Sequence, residues 1–281
     1  MIIFASEDAG CDPRALQVAI NVDLAVERVG MPEGKIALAQ GAVYLACCAK
    51  SNASYMAMRE MEKLIAENPD SAFAVQADAA DEGAVVQAVD AAVKRFGSIQ
   101  VMVVNHGIWS ETDTPLWRMS LEQWNRTMAV DLTGAFLFAR EYLKQLDGID
   151  DEMRNLSLIF VGSTAGRFGE ALHADYATAK AGLMYGLTRS LKNEVHVLHP
   201  RIRVNSVMPG WTRTPMAADA LKDKKTVDRV VATIPLKKIA LPEDVAASIL
   251  LLASESLSGH ITGQIMEVSG GMEGRILHPP K

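Results

Sequence analysis

The sequence predicts an α/β fold: a doubly wound parallel sheet, covered by helices on both faces and closed into a single domain. Three observations predict it. Short apolar runs alternate along the chain with longer segments of helical period. Several of those runs are continuous rather than alternating, as in strands buried on both faces. The 281 residues are 49% hydrophobic, enough for one sizeable core.

Taken in order, AVYLACC at residues 42–48 reads as a strand, and residues 53–68 as a helix with its charges on one face. SAFAVQAD at 71–78 is the next strand, followed by a helix to about Phe96, where Gly97 supplies the stop. IQVMVVN at 99–105 is a fully buried strand. Ser120 with Gln123 three residues on forms a capping box that opens a long helix to about Leu146.

The pattern then repeats. LSLIFVGS at 156–163 is a strand, 174–197 a helix, and IRVNSV at 202–207 a strand. Residues 242–253 form a helix with Pro242 in its first turn, and GQIMEV at 263–268 closes the series. Strands alternating with helices imply right-handed crossovers, and ligands in such sheets bind beyond the carboxyl ends of the strands.

A net charge of -6 gives no broad basic surface of the kind that phosphate-backbone binding needs, so nucleic acid is not an expected partner. The cysteines Cys11, Cys47 and Cys48 lack the spacing of a zinc site, so no metal is expected. They fit a reducing, cytoplasmic compartment. The opening MIIFA has no basic flank and is too short for a signal peptide. No apolar stretch reaches the ~18 to 20 residues of a membrane span.

Tyr176 and Lys180 lie four apart on one predicted helix, so their side chains share a face. A free phenol has a pKa near ~10, and an adjacent cation favours the phenolate, which makes the pair a plausible proton donor and acceptor. An exposed lysine beside a half-buried tyrosine is the structural alternative. Ser163 stands 13 residues earlier, at the carboxyl end of a buried strand, where a hydroxyl faces the ligand crevice and can polarise a carbonyl. Strand-end Ser, Tyr-x-x-x-Lys and a later strand ending in Pro209-Gly210 make a conjunction that none of them makes alone.

With these segments in view, the chain resembles the classical short-chain dehydrogenase/reductase family, particularly its 3-oxoacyl-reductase-like members. The matching segments are VVNHG (103–107), GSTAG with Ser163, YATAK (176–180), RVNSVMPGWTRT (203–214) and ITGQIMEVSGG (261–271). The resemblance implies a Rossmann-like fold, with Tyr176 as catalytic acid/base and Ser163 orienting the reacting carbonyl or alcohol. It implies that Lys180 lowers the tyrosine pKa and holds the nicotinamide ribose. Asp78 matches an acidic residue beside the adenine, and Asn105 a turn residue lining the cofactor groove. Thr212 and Thr214 match positions at the nicotinamide and phosphate end. Arg140 aligns more loosely with a basic residue on the long helix, where a solvated arginine is the equal alternative. Asp131 stands where the family usually has Asn, whose main-chain carbonyl joins a water relay to the lysine.

Cofactor choice is read after the strand at 42–48. NAD usually needs a carboxylate there, whereas the 2'-phosphate of NADP needs a cation. YLACCAKSN offers Lys50 and no acid, which favours NADP over NAD. The resemblance also implies that the apolar faces of 123–146 and 174–197 pair between subunits, giving a homodimer or homotetramer. Residues 211–240 correspond to the family's substrate lid, and a small carbonyl or alcohol is the expected substrate.

The first βα unit is atypical or incomplete. GKIAL at 34–38 resembles the family's first strand, but no Thr-Gly-x-x-x-Gly-x-Gly turn and helix follow before residue 42. Residues 1–33 are unmatched, and 34–281 form the expected domain. GMPEG at 30–34 supplies two of the glycines. Alternatively MIIFAS, EDAGCDP and the stretch from Arg14 supply the strand-turn-helix order without them. A displaced splice junction between Leu38 and Ala39 would also leave this gap. Three functions follow: an NADP(H)-dependent oxidoreductase built on Ser163, Tyr176 and Lys180; a pseudoenzyme that has lost its cofactor loop; or a non-redox enzyme using the Tyr/Lys pair for proton transfer.

Overall fold

Strand pairing and helix packing are given by a computed structural model, which describes Arg28 and residues 71–110, 112–150 and 152–275. Those from 75 onward belong to one compact unit. The strands expected at 34–38 and 42–48, the helix expected at 53–68, the loop residue Lys50 and nearly all of residues 1–33 lie outside the described residues.

The first helix, α1 (Glu82–Phe96), starts at Asp81, whose carboxylate accepts the Ala84 N–H, and stops at Gly97 with φ 82°. Then come β1 (Val101–Val104), α2 (Leu121–Thr127), a π-helical turn (Met128–Thr133) and α3 (Gly134–Lys144). β2 (Ser157–Val161) leads to a short α4 (Ala165–Phe168) and to α5 (Ala174–Ala181). A second π turn (Gly182–Leu187) joins α5 to α6 (Thr188–Glu194). β3 (Arg203–Pro209), α7 (Lys224–Val231), α8 (Pro242–Ala253), α9 (Glu255–Ser258) and β4 (Ile265–Val268) complete the series.

The four strands are parallel in the order β1-β2-β3-β4. Helices bury both faces, as the residue alternation in β2 requires. Leu158 and Phe160 enter a cluster with Tyr142, Leu146, Leu183 and Met184, whereas Ile159 joins Val207, Val245 and Leu252 of α8. Among the described residues no helix is long and apolar enough to cross a membrane.

Two expectations are corrected. The strands beside which 71–78 was expected lie outside the described residues, and the segment ends at Asp78, whose Oδ1 accepts the Ala80 N–H at 2.9 Å in a local turn. The capping box is half made: Ser120 Oγ accepts the Gln123 N–H (3.1 Å), but the Gln123 side chain, instead of accepting the Ser120 N–H, is turned so that its Nε2 donates to Asp175 (3.2 Å). The two long helices are not uniform, because each carries a π turn. These turns meet, since Leu132 of the first packs on Gly182 of the second, where an added Cβ would come within 3.3 Å of it.

Arg203 fastens α8 to the sheet. Its buried guanidinium donates to the carbonyls of Leu252 (2.6 Å) and Ala253 (3.1 Å), the orphan acceptors of the α8 C-terminus, and to Ser258 Oγ (2.7 Å). Arg203→Ala would leave the Ala253 carbonyl unpaired in a dry site and the Leu252 carbonyl with only the Ser157 and Ser258 hydroxyls, and is expected to cost about 3 kcal/mol. Urea unfolding monitored by circular dichroism measures that loss, and Arg203→Lys should recover only part of it because the planar fork is gone.

Candidate active site

Strand β2 ends one residue before Gly162, where an added Cβ would overlap the Met184 sulfur at 2.3 Å, so only glycine lets the strand end close on that helix. Ser163 follows at the carboxyl end of the sheet. Its Oγ accepts the Ala165 N–H (3.1 Å), which leaves its own O–H to donate toward the Tyr176 phenol. Tyr176 and Lys180 stand one turn apart on α5, and the Lys180 Nζ lies 5.6 Å from the Tyr176 ring centre.

Lys180 is only 4% exposed. Its ammonium sits 3.4 Å from the His106 carbonyl, 3.4 Å from the Val161 carbonyl and 3.7 Å from Asp131 Oδ2. Asp131 is fully buried, in the first π turn. Its Oδ1 accepts the Ile108 N–H at 2.8 Å, while Oδ2 has no hydrogen-bond partner. In the same turn the Val130 carbonyl accepts from His106 Nε2 (3.0 Å), so His106 ties the π turn to the loop after β1. Gly107 makes room between them: a Cβ there would lie 2.9 Å from Lys180 Nζ and 3.2 Å from Asp131 Oδ2.

The electrostatics reverse one expectation. The Tyr176 pKa is not lowered but pushed up to about 12, first by burial. The Ser163 hydroxyl pulls it down, while the Asp131 and Glu170 charges add to the rise. Lys180 is itself lowered by burial, partly offset by Asp131, which offsets the cation that would have favoured the phenolate. Burial also raises the Asp131 pKa, against the pull of Lys180 and the Ile108 N–H. The phenol is therefore neutral at ordinary pH and stands as a proton donor.

The other expected site residues divide. Asn105 is exposed in the loop carrying His106 and Gly107, at the mouth of this cluster. Thr212 and Thr214 lie just past β3, where Thr212 Oγ donates to the Gly210 carbonyl (3.1 Å) and the Thr214 N–H to the Thr212 carbonyl (2.9 Å). Asp78 is exposed ahead of α1. Arg140 is not brought to the cluster, because its guanidinium is held by Glu82 (2.6 Å) and Glu141 (2.7 Å) on the outer side of α3. Sequence reasoning missed Asp175, whose buried carboxylate accepts from Thr127 (2.8 Å) and Gln123 and so locks α2 to the helix bearing Tyr176. The i,i+4 spacing of Gln123 and Thr127 was a visible polar stripe, but nothing local joined it to a residue some fifty positions away. Trp109 and His173, packed beside Tyr176, were missed too.

Comparison with known proteins agrees with this geometry. A family described as enoyl-(acyl carrier protein) reductase matches residues 36–273. A cis-4-hydroxycyclohexanecarboxylate dehydrogenase of Sinomonas cyclohexanicum is 35% identical over 70% of this chain and 75% of the relative. A 3-oxoacyl-[acyl-carrier-protein] reductase of Synechocystis is 34% identical, over 74% and 78% respectively. A short-chain dehydrogenase/reductase titled glucose/ribitol dehydrogenase from Brucella melitensis superposes with a TM-score of 0.66 at 30% identity, covering 76% of this chain and 82% of that one.

A buried carboxyl whose pKa is raised by folding binds its proton more tightly in the native state, so its ionisation subtracts from stability as pH rises through the window above the unfolded value of about 4. Asp131→Asn removes that titration. The stability difference between wild type and Asp131→Asn should therefore favour wild type most at acid pH and shrink or reverse toward neutrality. Chemical denaturation across pH 4 to 7 reads it, and a pH-independent difference would contradict it.

Proposed function

The chain belongs to the classical short-chain dehydrogenase/reductase family of oxidoreductases, and from that premise we propose that it moves hydride between NADP(H) and a carbonyl or secondary alcohol. The observation that carries this reading is the convergence of Ser163, Tyr176 and Lys180 at the carboxyl ends of the parallel strands.

The residues at the nicotinamide-ribose end suit such a cofactor: the Lys180 ammonium is held beside Tyr176, and Asp131 Oδ2 next to it has no hydrogen-bond partner. Lys180, Tyr176 and Asn105 would hold that end, Thr212 and Thr214 the amide and phosphate, Asp78 the adenine, and Lys50 the 2'-phosphate. When bound, the nicotinamide supplies or accepts the hydride. The neutral Tyr176 phenol gives its proton to the carbonyl oxygen in reduction, and the Ser163 O–H donates a second hydrogen bond to the same oxygen. Lys180, held by two carbonyls and Asp131, stabilises the phenolate left behind. Asp131 acts as the positioning residue for that ammonium, through its side chain rather than its main chain alone.

NADPH titrated into the protein should bind with micromolar affinity, read by calorimetry or cofactor fluorescence. Tyr176→Phe should keep that binding and lose on the order of 10²- to 10⁴-fold in turnover. Failure of the wild type to bind NADPH would overturn the reading in favour of a pseudoenzyme, and turnover without cofactor would favour proton-transfer chemistry.

The chain is also proposed to self-associate. An apolar groove lined by Leu132, Phe136, Gly182, Gly186 and Leu187 opens between α3 and the α5–α6 helix, and Phe136 is 42% exposed within it. Sedimentation velocity at micromolar concentration should show a dimer or tetramer of the 30.4 kDa chain, and Phe136→Glu should shift it toward monomer.

A further inference from the structure

Beside Tyr176 stands a set of side chains that the proton-transfer machinery does not use. Trp109 stacks on His173 with ring centres 3.7 Å apart, and meets the Tyr176 ring edge-on at 5.0 Å. His173 is buried and fixed, its Nε2 3.1 Å from Asp113 Oδ1 and its N–H donated to the Glu170 carbonyl at 3.2 Å. The Thr114 N–H donates to the Leu172 carbonyl at 3.1 Å, so the loop after β1 is zipped to the loop before α5. Three rings thus form a rigid ladder ending at the reacting phenol.

Leu172, next to His173, holds φ 71° and leaves its side chain 40% exposed. A leucine in the left-handed region is disfavoured relative to ordinary backbone, because its Cβ crowds the following carbonyl. Glycine would carry this turn at no steric cost, so the leucine side chain is retained against a local penalty. The charges around the phenol are negative: Glu170 and Asp131 both act on it, and Lys180 is already matched by Asp131. An anionic group beside the reacting carbon would meet the Glu170 carboxylate and find no cation left unmatched to receive it.

We propose that Trp109, backed by the buried His173 and with Leu172 at the rim, forms a substrate wall that selects an uncharged ketone or secondary alcohol carried on an apolar ring. This inference rests on the oxidoreductase reading above. A rigid aromatic surface contacts a compact ring without freezing rotors, whereas an open chain must lose them to lie against it.

Steady-state reduction with NADPH would compare 4-methylcyclohexanone, 2-heptanone and 4-oxocyclohexanecarboxylate. The ring ketone should exceed each of the others in kcat/KM by about tenfold. Trp109→Ala should bring the ring-to-chain ratio toward one. Leu172→Gly should lower that ratio while the thermal midpoint stays at or above wild type, which a merely structural leucine would not do. A wild-type ratio of one or less, preference for the carboxylate, or a ratio unchanged in Trp109→Ala overturns the wall even where the enzyme turns over. Saturation-transfer NMR of 4-methylcyclohexanol, with and without NADP, keeps the two readings apart. Ring-proton saturation lost in Trp109→Ala supports the wall, and none in wild type overturns it; failure to bind NADPH counts against the oxidoreductase reading alone.

Discussion

A carboxylate and an ammonium 3.7 Å apart, both almost wholly withdrawn from water, set the terms for everything around them. Either charge alone in that position would carry a desolvation penalty of several kcal/mol, and their mutual attraction offsets it only when the remaining valences are filled. The chain fills most of them with backbone. Lys180 takes the carbonyls of His106 and Val161, and Asp131 takes the N–H of Ile108. The loop after β1, the end of β2 and helix α5 are thereby fixed to a common point. Gly107 follows from this closeness, since a side chain there would collide with both charges. The π turn follows as well: it presents the Asp131 side chain inward and frees the Val130 carbonyl for His106.

Much of this scaffold was legible in the sequence because its signals are local. Gly97 ends α1, Asp81 and Ser120 cap their helices, and Pro242 opens α8, all within one turn of the residues they act on. The Tyr176–Lys180 pair was legible through helical period, and Ser163 through its place at a strand end. What escaped depends on contacts between distant segments. The π turns answer to Leu132 meeting Gly182 across two helices, which no periodicity encodes. Gln123 satisfies a capping-box pattern, yet the buried Asp175 carboxylate takes its amide N–H and turns the side chain away from the Ser120 N–H. Arg140 looked available for a cofactor because Glu82, its actual partner, lies 58 residues away. The sign of the Tyr176 shift was illegible for the same reason, since the cation is visible at i+4 and the burial that raises the phenol comes from segments distant in sequence.

Buried polar groups hold the sheet to α8: Arg203 donates to four acceptors, Asn205 is bonded to Ile261 and Gln264, and Ser157 donates to Leu252. Even there the Arg203 Nε has no partner, nor has His199 Nε2. Three more buried atoms without partners, Asp131 Oδ2, Asp175 Oδ1 and His173 Nδ1, lie near Tyr176 in the fold or in sequence, as does Leu172 in the left-handed region. Such groups cost free energy that the rest of the core must offset.

An aspartate at 131 is more costly to bury than an amide would be. It meets the Lys180 ammonium at 3.7 Å, and its charge adds to the rise that burial gives the Tyr176 phenol, which is left protonated at ordinary pH. On the oxidoreductase reading proposed above, such a site begins its cycle holding the proton it is to give, and the carboxylate fixes the position of the ammonium that meets the phenolate afterwards.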